Sequence, residues 1–214
     1  MPSPYEIVLG DELARLHPRL GEYFGEISAG SVGRGAGVFD RVGTPRRWLW
    51  PVLALLAREG IAFPVWQEGV PFDVENRPLR DQHGDIAVGA RRTFHLQGGT
   101  RVMVDAITAD NRGEGGAWRL VDHLGPGRRL SASLGASVRD GALTLRSTGV
   151  GVRVGRRRLP ILPLVAPLVT LTERFDDDAQ KQHVSIALSM PVIGRVYEYS
   201  GFFTYNVETE HQGK

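Results

Sequence analysis

From about residue 65 to residue 207 the chain repeats one pattern. Short runs of alternating apolar and polar residues are each closed by a turn signal. The runs fall at 70–78, 86–96, 101–108, 117–124, 129–139, 142–154, 169–175, 182–190 and 195–207, divided by "QGG", "DNRGEGG", "GPG", "RDG" and "DDD". Connections this short favour antiparallel neighbours over parallel crossovers. So many strands in one sheet must curl or close. The pattern predicts a mainly β (α+β) fold. It is a strongly curved antiparallel sheet, a half-to-full barrel, with two N-terminal helices, one of them packed on the concave face.

The helices are read from caps and spacing. "GDELARLHPRLGEYF" offers Asp11 as N-cap and Leu13, Leu16 and Leu20 at helical spacing, with Pro18 as a break. "TPRRWLWPVLALLAREG" offers Thr44 as cap, Pro45 at the first helical position and Gly60 as terminator. Its segment 48–56 is apolar nearly all round, which predicts a well-buried helix on the concave side of the sheet. The glycines of "GSVGRGAG" suit a flexible or bulged edge strand. No Walker lysine or strand-to-helix unit accompanies them to make a phosphate loop. A length of 214 residues fits a single domain over 1–214.

Composition narrows the chemistry. The chain has no cysteine, which removes disulfides, thiolate metal sites and a cysteine nucleophile together. Its six histidines show no zinc-type spacing, so no metal or other cofactor is expected. A net charge of +2, without a recognition motif, argues against nucleic acid as a partner. The first residues lack the basic-then-apolar pattern of a secretion signal, which points to the cytoplasm. "RRRLPILPLVAPLV" comes closest to a membrane span, but Pro160, Pro163 and Pro167 break it. It reads as a loop and strand at a cavity mouth, with leucines lining the entrance. Arg156, Arg157 and Arg158 can touch anionic headgroups there; the plainer reading is an exposed basic turn before a buried strand.

The informative positions are charges that fall in phase with the buried face. Val88, Ala90, Arg92, Phe94 and Leu96 alternate, so Arg92 points inward. By the same alternation Trp118, Leu120 and Leu124 carry Asp122 inward, Trp66, Val70 and Phe72 carry Glu68, and Val169, Leu171 and Phe175 carry Glu173. Charges in an apolar interior must be paired, partly solvated or shifted in pKa. Either Arg92 pairs with a carboxylate and fixes register, or the group forms the polar floor of a pocket. A bulge or a one-residue slip would reverse any of these assignments. The last strand places Tyr197, Tyr199, Phe203 and Tyr205 on one face, with Gly201 between them leaving room for a close approach.

With "PYEIVLGDELARL", "GSVGRGAGV", "LVDHLGP", "LPLVAP" and "PVIGRVYEYSGFF", the chain resembles a bacterial domain-of-unknown-function family over nearly its whole length. Members occur alone or fused behind a saccharopine-dehydrogenase-like NAD-binding domain. Arg92 and Phe94 resemble the family's arginine–x–phenylalanine, and Asp122 its acidic residue before the glycine–proline turn. Ala90 stands where the family would carry tryptophan. The resemblance supplies no catalytic residue; its fused partner points to small-molecule or lipid metabolism.

The reading that follows is a protein binding a lipophilic small molecule, such as a lipid, isoprenoid or polyketide-like metabolite, without a cofactor. Arg92, Glu68, Trp48, Phe94, Trp118, Tyr197 and Tyr199 would form the site. A second reading is a cofactor-independent isomerase or cyclase using Asp122 and Glu173 as acid and base. A third is an accessory interaction module of an oxidoreductase. An unpaired inward carboxylate would favour the enzyme, fully paired charges the carrier, and a filled core the module. The sequence does not set the oligomeric state.

Overall fold

The computed structural model describes residues 2–81, 84–112, 116–154, 157–162, 164 and 166–210, with Val154, Arg157 and Arg158 as backbone. The alternating runs become strands β2 (Trp66–Arg80), β3 (Ile86–Leu96), β4 (Gly99–Asp110), β5 (Arg119–Leu124), β6 (Leu130–Arg139) and β7 (Ala142–Val154). They are followed by β8 (Arg157–Pro160), β9 (Leu168–Asp176), β10 (Lys181–Met190) and β11 (Gly194–Thr209). The glycine-rich segment is strand β1 (Ser31–Gly43). Neighbours pair antiparallel from β1 through β7, then β7 with β9, β9 with β10, β10 with β11, and β11 with β1. The result is a closed ten-stranded barrel. Strand β8 folds back on the far half of β7 and lies outside the circuit.

Strand β1 is therefore central, paired on both sides, and not the edge strand its glycines suggested. The glycines make room for the aromatic face of β11. A Cβ on Gly33 would strike the Tyr205 ring, and one on Gly37 would lie 2.1 Å from the Phe202 carbonyl oxygen and 2.6 Å from the Phe203 Cβ. Gly37→Ala should accordingly cost about 1–3 kcal/mol in urea unfolding. Gly149→Ala, whose added methyl meets no atom within 4 Å, should leave stability within about 0.5 kcal/mol of the parent.

An eight-stranded barrel is just filled by its own side chains; ten strands enclose more space than strand residues fill. Both ends are accordingly plugged. One end receives α1 (Pro4–Leu9), the 3-10 helix Gly10–Arg15 and α2 (Pro18–Phe24). The expected single helix from Asp11 is thus two pieces, because Pro18 starts the second with His17 as its N-cap. The helix before it was not foreseen. It is set by a capping box, in which Ser3 Oγ accepts from the Glu6 backbone N–H at 3.1 Å. Ser3 also donates to the Phe24 carbonyl at 2.5 Å, and Tyr5 packs on Phe24 with ring centroids 4.7 Å apart.

The opposite end carries α3 (Trp50–Arg58), which begins later than expected because Arg47–Leu49 is a 3-10 turn and Pro51 sits in the first helical turn. This helix caps the barrel end and does not lie buried on the concave face. Leu49 and Leu53 point into the core, while Trp48, Val52 and Leu55 stay more than half exposed. No helix among the described residues is long and apolar enough to cross a membrane.

Candidate functional site

Antiparallel register places three charged residues in a diagonal row on the inner wall. Arg92 on β3 stands opposite Met103, and Asp105 on β4 is two residues further along. Asp105 stands opposite Leu124, and Asp122 on β5 is opposite Ile107, one diagonal on. Arg92 Nη1 donates to Asp105 Oδ1 at 2.5 Å, and both side chains are largely buried. Burial opposes the guanidinium charge, but the Asp105 carboxylate and neighbouring groups outweigh it and hold Arg92 well above its ordinary value.

Asp122 has no such partner. Its Oδ1 is buried without a hydrogen bond among the described residues, and the half-buried side chain is part of the cavity wall. Burial, and then the like charge of Asp105, push it well above the usual carboxylate range, with Arg92 pulling the other way. Across the barrel, Glu173 on β9 is buried and accepts a hydrogen bond from Gln182 Nε2 on β10. Burial pushes Glu173 up to about 7, against the opposing effects of Arg92 and Gln182. The wall thus carries one ion pair, one carboxyl raised above its ordinary range, and one, Glu173, near its midpoint at neutral pH.

These groups surround a cavity of about 90 Å³ whose remaining wall is mainly apolar. Met103, Ile107, Ala132, Leu134, Leu145 and Leu171 form the apolar wall, and Tyr5 and Tyr23 reach it from the N-terminal plug. Tyr197 and Tyr199 complete the β11 side, and burial pushes the Tyr199 phenol up to about 12. Toward the α3 end the lining residues Ile61, Leu124, Val169 and Leu188 are half-buried, as are Tyr5, Leu171 and Ile186 elsewhere in the wall.

Of the residues singled out in the sequence, Arg92, Asp122, Glu173, Tyr197 and Tyr199 meet at this cavity. Phe94 is fully buried beside it, between Phe39, Phe63 and Tyr199. Three others do not reach it. Glu68 is exposed and pairs with Arg41 at 3.1 Å. A bulge between Phe39 and Arg41, opposite Gly69 at φ 60°, puts Arg41 and Glu68 outside while Val42 and Val70 stay inside. Trp118 precedes the first residue of β5, so strand alternation does not govern it, and it is exposed. Trp48 lies in the 3-10 turn ahead of α3 and is exposed.

Asp105, Gln182, Tyr5 and Tyr23 belong to the site and escaped the sequence reading. Residues 105–109 of β4 are buried on both faces, so no alternation marks Asp105 as inward. The mouth also differs from expectation. Leu159, Leu162 and Leu164 face solvent, and Ile161 and Leu168 flank a groove of about 390 Å³ beside Met190 and Pro191. Arg156 lies outside the described residues. Among the described residues no group of histidine, aspartate and glutamate could hold a metal ion.

The described residues thus form a closed antiparallel barrel with a mostly apolar interior and a few converging polar groups. The chain belongs to the family described as Domain of unknown function (DUF4166), whose sequence pattern matches residues 16–203. No curated protein matches it.

Proposed function

We propose that the protein binds a lipophilic small molecule inside the barrel, with a carbonyl or hydroxyl oxygen of the ligand at Asp122. The observation that carries this reading is Asp122, a half-buried carboxyl in the wall of an apolar cavity whose Oδ1 has no partner among the described residues. A buried polar atom without a partner is costly, and a ligand oxygen would relieve that cost. The enclosed space of about 90 Å³ is below the roughly 300–1,000 Å³ of a pocket that swallows a whole drug-sized ligand. A ring or short chain is therefore held inside, and the rest of a lipid, isoprenoid or polyketide-like molecule leaves past Ile61, Leu124, Val169 and Leu188.

Cyclohexanone and cyclohexanol serve as probes of the enclosed part. Both raise the melting temperature of the wild-type chain. Asp122→Leu weakens that binding by up to about tenfold, the worth of one hydrogen bond. Ala132→Leu, which fills the cavity, abolishes it. A shift unchanged in both variants would refute the assignment.

The same free carboxyl supports a second reading, a cofactor-independent isomerase or cyclase. A protonated Asp122 can hand a proton to a carbonyl oxygen while Glu173, near its midpoint, takes one from carbon. In deuterated buffer the enzyme would exchange the α-hydrogens of bound cyclohexanone, and Asp122→Asn would bind the ketone without exchange. Binding without exchange in the parent leaves the carrier.

A further inference from the structure

The modest net charge of +2 hides a division between the two ends of the barrel. At the plugged N-terminal end, every connection between strands carries or adjoins carboxylates, among them Asp81, Asp110, Asp140 and Asp177, and Glu26 stands between α2 and β1. At the α3 end the segments 44–58, 97–101, 125–130, 153–168 and 189–195 contain no aspartate or glutamate at all, and all five contain arginine.

Four of these segments, 44–58, 125–130, 153–168 and 189–195, are joined through their described residues. Arg46, ahead of α3, donates to the Ile193 carbonyl at 2.7 Å in the β10–β11 turn. Glu59, just after α3, pairs with Arg129 at 3.2 Å, and Arg153 on β7 donates to the Gly127 carbonyl at 2.9 Å. Ile161 and Pro167 meet Met190 and Pro191 across the groove. Within the rim stands an apolar surface that the barrel leaves uncovered. Trp48, in the 3-10 turn ahead of α3, and Val52 and Leu55, one turn apart on the outer face of α3, are 62%, 56% and 61% exposed. Leu162, Leu164 and Val192 on the neighbouring loops are exposed further still.

We infer that this end of the barrel docks on an anionic lipid bilayer, with the α3 face and the neighbouring leucines among the acyl chains and the arginines at the headgroups. Apolar side chains among arginines that outnumber the rim's carboxylates, Glu59 among them, match a negatively charged, oily surface in both respects. The acidic end faces away. The cavity wall reaches this side at Ile61 and Leu124, the shortest way for a lipophilic ligand to pass between bilayer and barrel. The docking itself does not depend on the ligand.

The full chain is tested by flotation with vesicles of phosphatidylcholine and of equimolar phosphatidylcholine and phosphatidylglycerol. Binding is expected to the phosphatidylglycerol vesicles only, weakening as salt is raised. The exposed pair Val52→Ser/Leu55→Ser lowers the affinity roughly tenfold or more. Arg47→Glu and Arg58→Glu each lower it about fivefold or more. Trp118→Ser, at the acidic end, changes nothing. No binding, equal binding to both vesicles, or binding indifferent to these variants would overturn the inference. So would a concentration-dependent dimer dissolved by Val52→Ser/Leu55→Ser, which would assign the face to a second copy. Asp122→Leu leaves vesicle binding intact, and the α3 variants leave the cyclohexanone shift intact, so the two proposals fail separately.

Discussion

Replacing Arg92 by methionine should lower the unfolding free energy by about 3–5 kcal/mol at neutral pH, because it strands the Asp105 carboxylate in the barrel wall. The loss comes less from the pair itself than from the charge left behind. Asp105 is 6% exposed, and its diagonal neighbour is a second carboxyl, Asp122. Removing both members separates these contributions. Arg92→Met/Asp105→Leu takes two charges out of an apolar wall at nearly constant volume, and should recover most of the loss or exceed the parent. Guanidinium unfolding of the two single variants and the double variant completes the cycle. Additive losses would mean that the two side chains do not act as a pair.

The second large effect is on pH dependence. Glu173 titrates at about 7 in the folded chain against an ordinary value of 4.5. Between those values the folded state binds the extra proton, so stability must fall as pH rises through this window. The separation corresponds to on the order of 3 kcal/mol. It is fully present as stability below about pH 4.5 and lost above about pH 7. Asp122, also raised, acts in the same direction. Asp110, Asp176 and Glu210, held below their ordinary values by arginine partners, act in the opposite direction in acid. The difference between parent and Glu173→Gln isolates the one group. The variant should match the parent near pH 4.5 and exceed it by on the order of 3 kcal/mol at pH 8. A difference that does not change with pH would place Glu173 in solvent.

The sequence announced the barrel through its period-two runs and their short turns. It announced Arg92, Asp122 and Glu173 through charges that break an apolar face. The method works where one face is wet and the other dry, and it fails where that contrast is absent. Strand β4 is dry on both faces at Asp105. At Glu68 the failure came from backbone geometry, a bulge opposite Gly69 that no alternation count can register. Helix α3 misled in another way. Apolar residues all round predicted burial, yet half of that surface faces outward at the basic rim. An exposed apolar face and a buried one look alike until the fold decides which side is the core. Tyr5 and Tyr23 enter from short helices whose burial depends on the barrel end they plug.

If the cavity beside Asp122 is a binding site, a lipophilic molecule should occupy it. Native mass spectrometry tests this most directly, on the chain as purified and after equilibration with an organic extract of the producing cells. The predicted result is a complex with one apolar, oxygen-bearing molecule, recovered by organic extraction and diminished in Ala132→Leu. The bare chain mass in both preparations would contradict it.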